Sequence, residues 1–303
     1  MNHLGKENSF SFQRTIHALN EGLKLIIRGG IKEGRYLMQR VSYGMPQLIE
    51  LNSVEENVRL CSQLGLDFIE LNCNLPSCQP ETMNVHYLNL LKGQYGVEFT
   101  LHLPEDLDLG HFNRHVREAH LKVLEEAIGV ADRLGCKILN IHMNPGVHFT
   151  LPTEKIELYG KYQQQYLSNI KSSLELIDIW LGGTGVHISI ENTGLLHRPH
   201  IQTAVNQLLK SGRFCLTWDV GHDYISSHAD REFMLNHRSS IKHIHLHDAK
   251  ERNDHLELYT GEVDLNEKLQ IASENQASVL IEVKTKESLI NSVAKLKEKH
   301  IFK

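Results

Sequence analysis

Within the segment 241–248, Ile-Lys-His-Ile-His-Leu-His-Asp, residues 243–247 alternate imidazole and aliphatic side chains with a period of two. This period is typical of a β-strand whose two faces differ chemically. Ile244 and Leu246 lie on one face, and the other face carries three imidazoles, those of His243, His245 and His247. The same alternation occurs in 187–191, His-Ile-Ser-Ile-Glu, and in 214–220, Phe-Cys-Leu-Thr-Trp-Asp-Val. These segments therefore predict strands with one packing face and one face of reactive groups.

Along the chain after about residue 40, eight strand-like runs alternate with eight amphipathic helical patterns. The predicted strands are Arg40–Tyr43, Asp67–Asn72, Val97–Leu103, Lys137–Met143, Val186–Asn192, Phe214–Val220, Ile241–His247 and Ser278–Val283. The predicted helices are Val54–Leu64, His86–Lys92, Asn113–Leu134, Glu154–Trp180, Ile201–Leu209, Asp230–His237, Leu265–Ser273 and Ser288–Lys297. This order predicts an α/β fold, a single (β/α)8 TIM barrel. An open doubly wound sheet is the competing fold, but no predicted strand is followed by a Gly-x-Gly-x-x-Gly turn.

Residues 1–40 precede the alternating pattern and are predicted to be an N-terminal extension to a barrel of residues 41–303. Within the extension, Arg14–Ile27 has the pattern of an amphipathic helix, and Gly29-Gly30 suit its C-terminal end. We expect this segment to be a packing or capping extension.

The composition is that of a globular protein of a reducing compartment. Of the 303 residues 41% are hydrophobic, and 32 basic against 37 acidic residues give a net charge of −5, which argues against a general binder of nucleic acid. The five cysteines are scattered and form no Cys-x-x-Cys motif, which excludes a disulfide scaffold. No apolar run has the length of a membrane span. A cytoplasmic location and no membrane partner are therefore expected.

In a barrel, the aliphatic face of each strand meets the helices and the other face lines the interior. The interior faces here are polar, and a buried carboxylate or imidazole must be paired, hydrogen-bonded or bound to metal. Six strands place such a residue at or near the C-terminal end, where barrel enzymes have their active sites. These residues are His102, His142, Glu191, Asp219, His245 and Glu282.

This convergence predicts a metal site. Three carboxylates and one imidazole, those of Glu191, Asp219, Glu282 and His245, form a mostly oxygen ligand set that suits Mn, Co or Mg. Four further imidazoles are candidates either for substrate binding or for additional metal sites, which would shift the preference toward Zn. They are His102, His142, His222 and His255. His243 is expected to be a packing residue, and His247 is expected at the rim or behind the ligands.

The chain resembles the xylose isomerase-like barrel superfamily, which groups sugar isomerases and epimerases with abasic-site nucleases of the endonuclease IV type. The resemblance covers roughly residues 40–300 and is carried by the motifs Ile190-Glu191-Asn192-Thr193, Asp219-Val220-Gly221-His222, His245-Leu246-His247-Asp248-Ala249-Lys250, Asp254 to Glu262 and Ile281-Glu282. It implies that Glu191, Asp219, His245 and Glu282 share one divalent cation. It also implies that Glu191 and Glu282 are the acid/base pair of a sugar or sugar phosphate isomerase or epimerase, acting through an enediolate stabilised by the cation. Proteins of this kind are often homo-oligomers.

The nuclease branch of the superfamily is the alternative function, and there the resemblance implies two to three Zn ions. The chain matches that pattern at His102, His142, Glu191, Asp219, His222, His245, His255 and Glu282. It departs at Asn253, where the pattern has an aspartate, although Asp254 follows directly. Acidic residues at 105, 106 and 108 would also repel a phosphate backbone, so nucleic acid is not the expected partner. A barrel that binds metal without catalysis is a third hypothesis.

Three basic residues follow predicted strands and are candidates for contacts with an anionic substrate group. They are Lys284, Arg198 and Arg252. The alternative is that each is a solvated or ion-paired surface charge.

Overall fold

Eight parallel strands pair side by side into a closed barrel in the computed structural model, which describes residues 41–301. The strands are β1 (Tyr43–Pro46), β2 (Phe68–Asn72), β3 (Glu98–His102), β4 (Ile138–His142), β5 (His148–Thr150), β6 (Lys155–Glu157), β7 (His187–Glu191), β8 (Phe214–Asp219), β9 (Ile241–Leu246), β10 (Asp248–Lys250), β11 (Asn253–Leu256) and β12 (Ser278–Ile281). The barrel order is β1-β2-β3-β4-β7-β8-β9-β12, and β12 closes onto β1. The remaining strands form two antiparallel hairpins, β5–β6 after β4 and β10–β11 after β9.

Helices connect the barrel strands, as expected for crossover connections between parallel strands. They are α1 (Val54–Leu64), α2 (Val85–Tyr95), α3 (Arg114–Leu134), α4 (Leu158–Lys161), α5 (Gln163–Leu181), α6 (Pro199–Leu209), α7 (Val220–Ile225), α8 (Arg231–Asn236), α9 (Leu265–Asn275) and α10 (Lys286–Glu298). Among the described residues, no helix is long and apolar enough to cross a membrane. The (β/α)8 barrel predicted from the alternating pattern is confirmed.

Most boundaries shift by a few residues from the sequence-based prediction, and two of the differences have an identifiable structural cause. The first strand is Tyr43–Pro46 rather than Arg40–Tyr43, because parallel pairing of Gly44 with Phe68 decides its position. The predicted helix Glu154–Trp180 begins only at Leu158, because Lys155–Glu157 pairs with β5 as a strand. Strand pairing overrides local periodicity in both places, with β2 in the first case and within the short β5–β6 hairpin in the second. The predicted helix Arg14–Ile27 and the extension of residues 1–40 lie outside the described residues.

The alternation of faces is as predicted. Side chains on the outer face of the barrel are buried against the helices, among them Ile190, Leu216, Trp218, Ile244 and Leu246. The interior is polar and fully hydrogen-bonded in its middle layer: the Ser189 and Thr217 hydroxyls lie 2.6 Å apart, and Thr217 donates to Asn140 Oδ1 at 2.6 Å. Because these short polar side chains satisfy one another, the interior supports charged groups above them without an aliphatic filling.

The lower end of the barrel is filled by the Phe68 ring, which points inward from β2. It lies against the backbone of Gly44 on β1, its register partner. A Cβ atom at position 44 would overlap the ring carbons of Phe68, so glycine is required here for close packing.

We expect Gly44→Ala to lower the free energy of unfolding by about 1–3 kcal/mol, because the added methyl displaces the Phe68 ring in a close-packed interior. Chemical denaturation measures the change. Gly93→Ala in α2 is the matched control, since no atom lies within 4 Å of its added Cβ. This control is expected to be neutral or to stabilise by about 0.5–1 kcal/mol. Equal effects of the two variants would contradict the packing argument.

Candidate metal centre

Four side chains meet over the C-terminal end of the barrel. Glu191 and Asp219 are the last residues of β7 and β8, His245 lies in β9, and Glu282 directly follows β12. His245 Nδ1 lies 3.3 Å from Glu191 Oε2, 3.8 Å from Asp219 Oδ2 and 3.0 Å from Glu282 Oε2. The structure thus brings together the four residues that the sequence analysis proposed as ligands.

Several buried polar atoms at this place have no hydrogen-bond partner within the described protein. They include His142 Nε2, His222 Nδ1, His245 Nδ1 and Glu282 Oε2, and His245 Nε2, on the side of the ring that faces Glu70, is a further one. Buried polar atoms are almost always satisfied in folded proteins, and a cation coordinated by their lone pairs would satisfy these. Imidazole nitrogens and carboxylate oxygens at spacings of 3.0–3.8 Å fit a divalent cation held between them.

The carboxylates of Glu191 and Glu282 favour the ionised form although they are buried. Burial by itself would raise the pKa of Glu191, but His245 and His142 outweigh this effect and hold the pKa well below its usual range. Burial would likewise raise the pKa of Glu282, and His245 and His255 reverse the shift. For His245 burial would lower the pKa, but Glu191 and Glu282 hold it well above its usual value. Opposite charges in mutual contact therefore keep this centre charged.

His102 and His142 form a second group of donors around Glu191. Their Nε2 atoms lie 3.5 Å and 3.2 Å from Glu191 Oε2, and the two rings meet edge to face. Burial would lower the pKa of His102, but the Glu191 carboxylate raises it to about 9. Glu191 therefore belongs to two groups of potential ligands.

His222, Asp254 and His255 form a third group on the other side. Asp254 Oδ2 lies 4.0 Å from Nε2 of both His222 and His255, and His222 Nδ1 lies 3.1 Å from Glu191 Oε1. The sequence comparison treated Asn253 as a departure from the nuclease pattern. In the structure the neighbouring Asp254 supplies the carboxylate, because the β10–β11 hairpin turns its side chain toward the two imidazoles.

Asp219 is held by its surroundings on every side. Its carboxylate caps α7 by accepting from the His222 amide at 2.6 Å, and it lies 3.0 Å from His247 Nε2. Its own amide donates to Asn192 Oδ1 at 2.7 Å. Gly221 makes this arrangement possible, since a Cβ there would overlap the His247 ring. His247 is completely buried behind Asp219 and does not lie at the rim.

The three cations proposed for substrate contact are in different environments. Arg198 is half-buried and pairs with Glu157 at 2.9 Å. Lys284 is exposed and lies 3.6 Å from Glu282 Oε1. Arg252 is exposed in the turn between β10 and β11. Two of these charges are therefore already compensated by carboxylates.

Two interior residues that the sequence analysis did not propose for the site contact it directly. Asn140 Nδ2 donates to Glu191 Oε2, and Glu70 Oε1 lies 3.1 Å from His245 Nε2. Both have inward parity on their strands, so an ionisable or amide side chain on a buried face was the signal in the sequence that pointed to them. His243, expected to be a packing residue, is buried and also contacts Glu70.

Comparison with solved structures gives the same fold. A D-tagatose 3-epimerase-like protein aligns with a TM-score of 0.69 and 23% identity over 86% of this chain and 98% of its own. A 3-keto-D-glucoside 4-epimerase from E. coli aligns with a TM-score of 0.66 and 17% identity, over 86% and 100%. The IOLI protein with a zinc atom bound aligns with a TM-score of 0.65 and 14% identity, over 86% and 98%.

No curated protein matches the chain at a significant level. A family model does match it, over residues 58–299, which include all four residues grouped around His245 Nδ1. On the strength of that match, this chain belongs to the xylose isomerase-like TIM barrel family.

Proposed function

We propose that this protein is a sugar epimerase or isomerase that depends on one divalent cation. In this proposal Glu191, Asp219, His245 and Glu282 hold the ion, and Glu191 and Glu282 exchange the substrate proton. The observation that carries it is the approach of both glutamates to His245 Nδ1, at 3.3 Å and 3.0 Å, from strands that are separated in the barrel by β8 and β9. Two carboxylates on different sides of one centre are what proton removal and return require.

The chemistry assigns each carboxylate a defined task. One takes the proton from the carbon next to the sugar carbonyl, and the other returns a proton to the opposite face of that carbon or to the neighbouring one. A bound divalent cation supplies the positive charge that stabilises the negative charge developing on the substrate oxygens. Glu191 is almost fully buried and flanked by imidazoles, whereas Glu282 retains 16% of its side-chain exposure. Glu282 is therefore the carboxylate more open to a substrate in the mouth of the barrel.

The names of similar structures support a sugar substrate. They include a D-tagatose 3-epimerase-like protein, a 3-keto-D-glucoside 4-epimerase and a D-allulose 3-epimerase. The compensated charges of Arg198 and Lys284 favour a neutral sugar over a sugar phosphate, since a phosphate would have to compete with Glu157 and Glu282 for them. A cytoplasmic location and self-association remain predictions from the sequence.

Metal analysis tests the ligand set. We expect tag-free protein to contain about one tightly held Mn, Co or Mg ion per chain, as suits a mostly carboxylate site. Asp219→Ala and Glu282→Ala are expected to lose the ion, and adding metal at about 100 times its Kd is expected to stabilise only the wild type, by about 2.7 kcal/mol. Full metal occupancy in both variants would contradict the assignment.

Proton exchange tests the role of Glu191. In D2O, wild-type enzyme acting on a panel of ketoses and aldoses is expected to place deuterium at the carbon that changes configuration, as detected by NMR. Glu191→Gln should lower turnover by about 10²–10⁴-fold, because an amide cannot accept the proton. Glu118→Gln on the exposed surface of α3 is the control and should retain full activity. Undiminished exchange by Glu191→Gln with metal bound would refute the acid/base assignment.

Cleavage of abasic DNA is the second candidate function, and a specific observation favours it. Groups of possible donors lie around His245, around His142 and around Asp254, and the resemblance to the nuclease branch implies two to three Zn ions. Two to three Zn ions per chain and strong, chelator-sensitive cleavage of a duplex with an abasic site would establish this function. Inertness on that duplex would exclude it. Tight metal binding without either activity would indicate a non-catalytic metal-binding barrel.

A further inference from the structure

We propose that Glu70, in β2, is a positioning residue that fixes the orientation and the tautomer of His245 for metal binding. This inference rests on the metal site of the proposed function, but it concerns a residue on the far side of the imidazole from the candidate ligands.

The contacts place Glu70 beneath His245. Glu70 Oε1 lies 3.1 Å from His245 Nε2, whereas His245 Nδ1 faces Glu191 and Glu282 at 3.3 Å and 3.0 Å. Nε2 has no aligned hydrogen-bond partner among the described residues, so its 3.1 Å contact with Glu70 Oε1 is one of proximity. The ring nevertheless has this carboxylate on one edge and the candidate ligands on the other. Metal binding requires His245 to release one proton, and the neutral imidazole then carries its remaining proton on one nitrogen only. With the proton on the Glu70 side, the lone pair of Nδ1 points to the metal site.

The position of Glu70 is itself determined by its second oxygen. Glu70 Oε2 accepts a hydrogen bond from Thr100 Oγ1 at 3.0 Å and lies 3.3 Å from His243 Nε2. The opposite nitrogen of His243, Nδ1, lies 2.6 Å from Ser278 Oγ. A column of side chains, Ser278, His243, Glu70 and His245, therefore runs through the barrel interior to the metal site. Among the described contacts, Oε1 of Glu70 lies against His245.

A carboxylate at this depth requires a reason, because Glu70 is only 3% exposed and a buried charge is costly unless it is paired. Close packing alone does not explain a buried carboxylate at position 70, since an aliphatic residue would fill the same space, as it does in ordinary barrels. Metal-bound histidines commonly donate their second N–H to a carboxylate, which sets the tautomer and makes the ligand more basic. Glu70 lies at the second nitrogen of His245 in the same way, and this role explains why a carboxylate is buried there.

The test is metal affinity, measured by calorimetry with Mn²⁺, Co²⁺ and Zn²⁺ on the full chain. Glu70→Gln keeps the size of the side chain and removes its charge, and we expect it to weaken binding by about 10–100-fold while leaving the number of ions per chain unchanged. We also expect the Co²⁺ absorption spectrum to change, since a reoriented or wrongly protonated His245 alters the coordination of the ion.

Asp230→Asn is the matched control. Asp230 is also a completely buried carboxylate, but it binds the backbone amides of Gly194, Leu195 and His197 instead of a candidate ligand. The Asp230→Asn variant is expected to have a lower thermal unfolding temperature but an unchanged metal affinity and Co²⁺ spectrum. A general loss of stability is thereby separated from a loss of positioning.

Three results would overturn the proposal. Equal affinity in wild type and Glu70→Gln would show that the carboxylate does not act on His245. Equal weakening in Glu70→Gln and Asp230→Asn would indicate a purely structural role. Loss of one ion from Glu70→Gln while another ion stays bound as tightly as in the wild type would mean that Glu70, His243 and His245 hold an ion themselves. Failure of wild-type protein to bind any metal would instead refute the metal site of the proposed function, whereas metal binding without sugar turnover leaves the test of Glu70 valid.

Discussion

His245 is the residue on which the rest of the polar interior depends. Its ring lies on the barrel interior with Glu70 at one nitrogen and Glu191 and Glu282 at the other. Each of these carboxylates would be unfavourable if buried alone, and the imidazole between them reduces that cost by mutual attraction. Thr100 and Asn140 donate hydrogen bonds to Glu70 and Glu191 around this ring, whereas His245 Nδ1 and Glu282 Oε2 have no hydrogen-bond partner among the described residues. The stability of the barrel and the composition of the candidate site are therefore linked.

This arrangement also explains why the barrel lacks an aliphatic interior. Between the Phe68 ring below and the ionisable layer above, Asn140, Ser189 and Thr217 form a hydrogen-bonded layer. Asn140 extends the layer upward by donating to Glu191. The hydrophobic packing lies almost entirely between the outer faces of the strands and the helices. A charged centre at the mouth is thus supported by polar contacts that reach half the depth of the barrel.

Sequence periodicity predicted the elements with a strong local signal. The alternation in β7, β8 and β9 predicted both the strands and the face that each side chain occupies, because a strand has a fixed period of two. The prediction of strand boundaries was weakest where pairing with another strand, and not local periodicity, determines the conformation. Tyr43-Gly44-Met45-Pro46 has little strand propensity and is a strand because it pairs with β2 and β12. Lys155–Glu157 has a helical pattern but pairs with β5. The periodicity of a single segment does not reveal which other strand it pairs with.

Within the candidate site, counting along each strand was enough to predict which side chains face inward. It also predicted which of them lie at the C-terminal ends of strands. It therefore yielded the four candidate ligands Glu191, Asp219, His245 and Glu282. The folded chain reveals that one carboxylate has several partners, since Glu191 contacts His102, His142, His222 and His245. It also brings Asp254 Oδ2 to 4.0 Å from Nε2 of both His222 and His255. The closed barrel also places Glu70, 175 positions earlier in the chain, under His245. Distances across a barrel depend on register and closure, which are properties of the assembled sheet and not of any one strand.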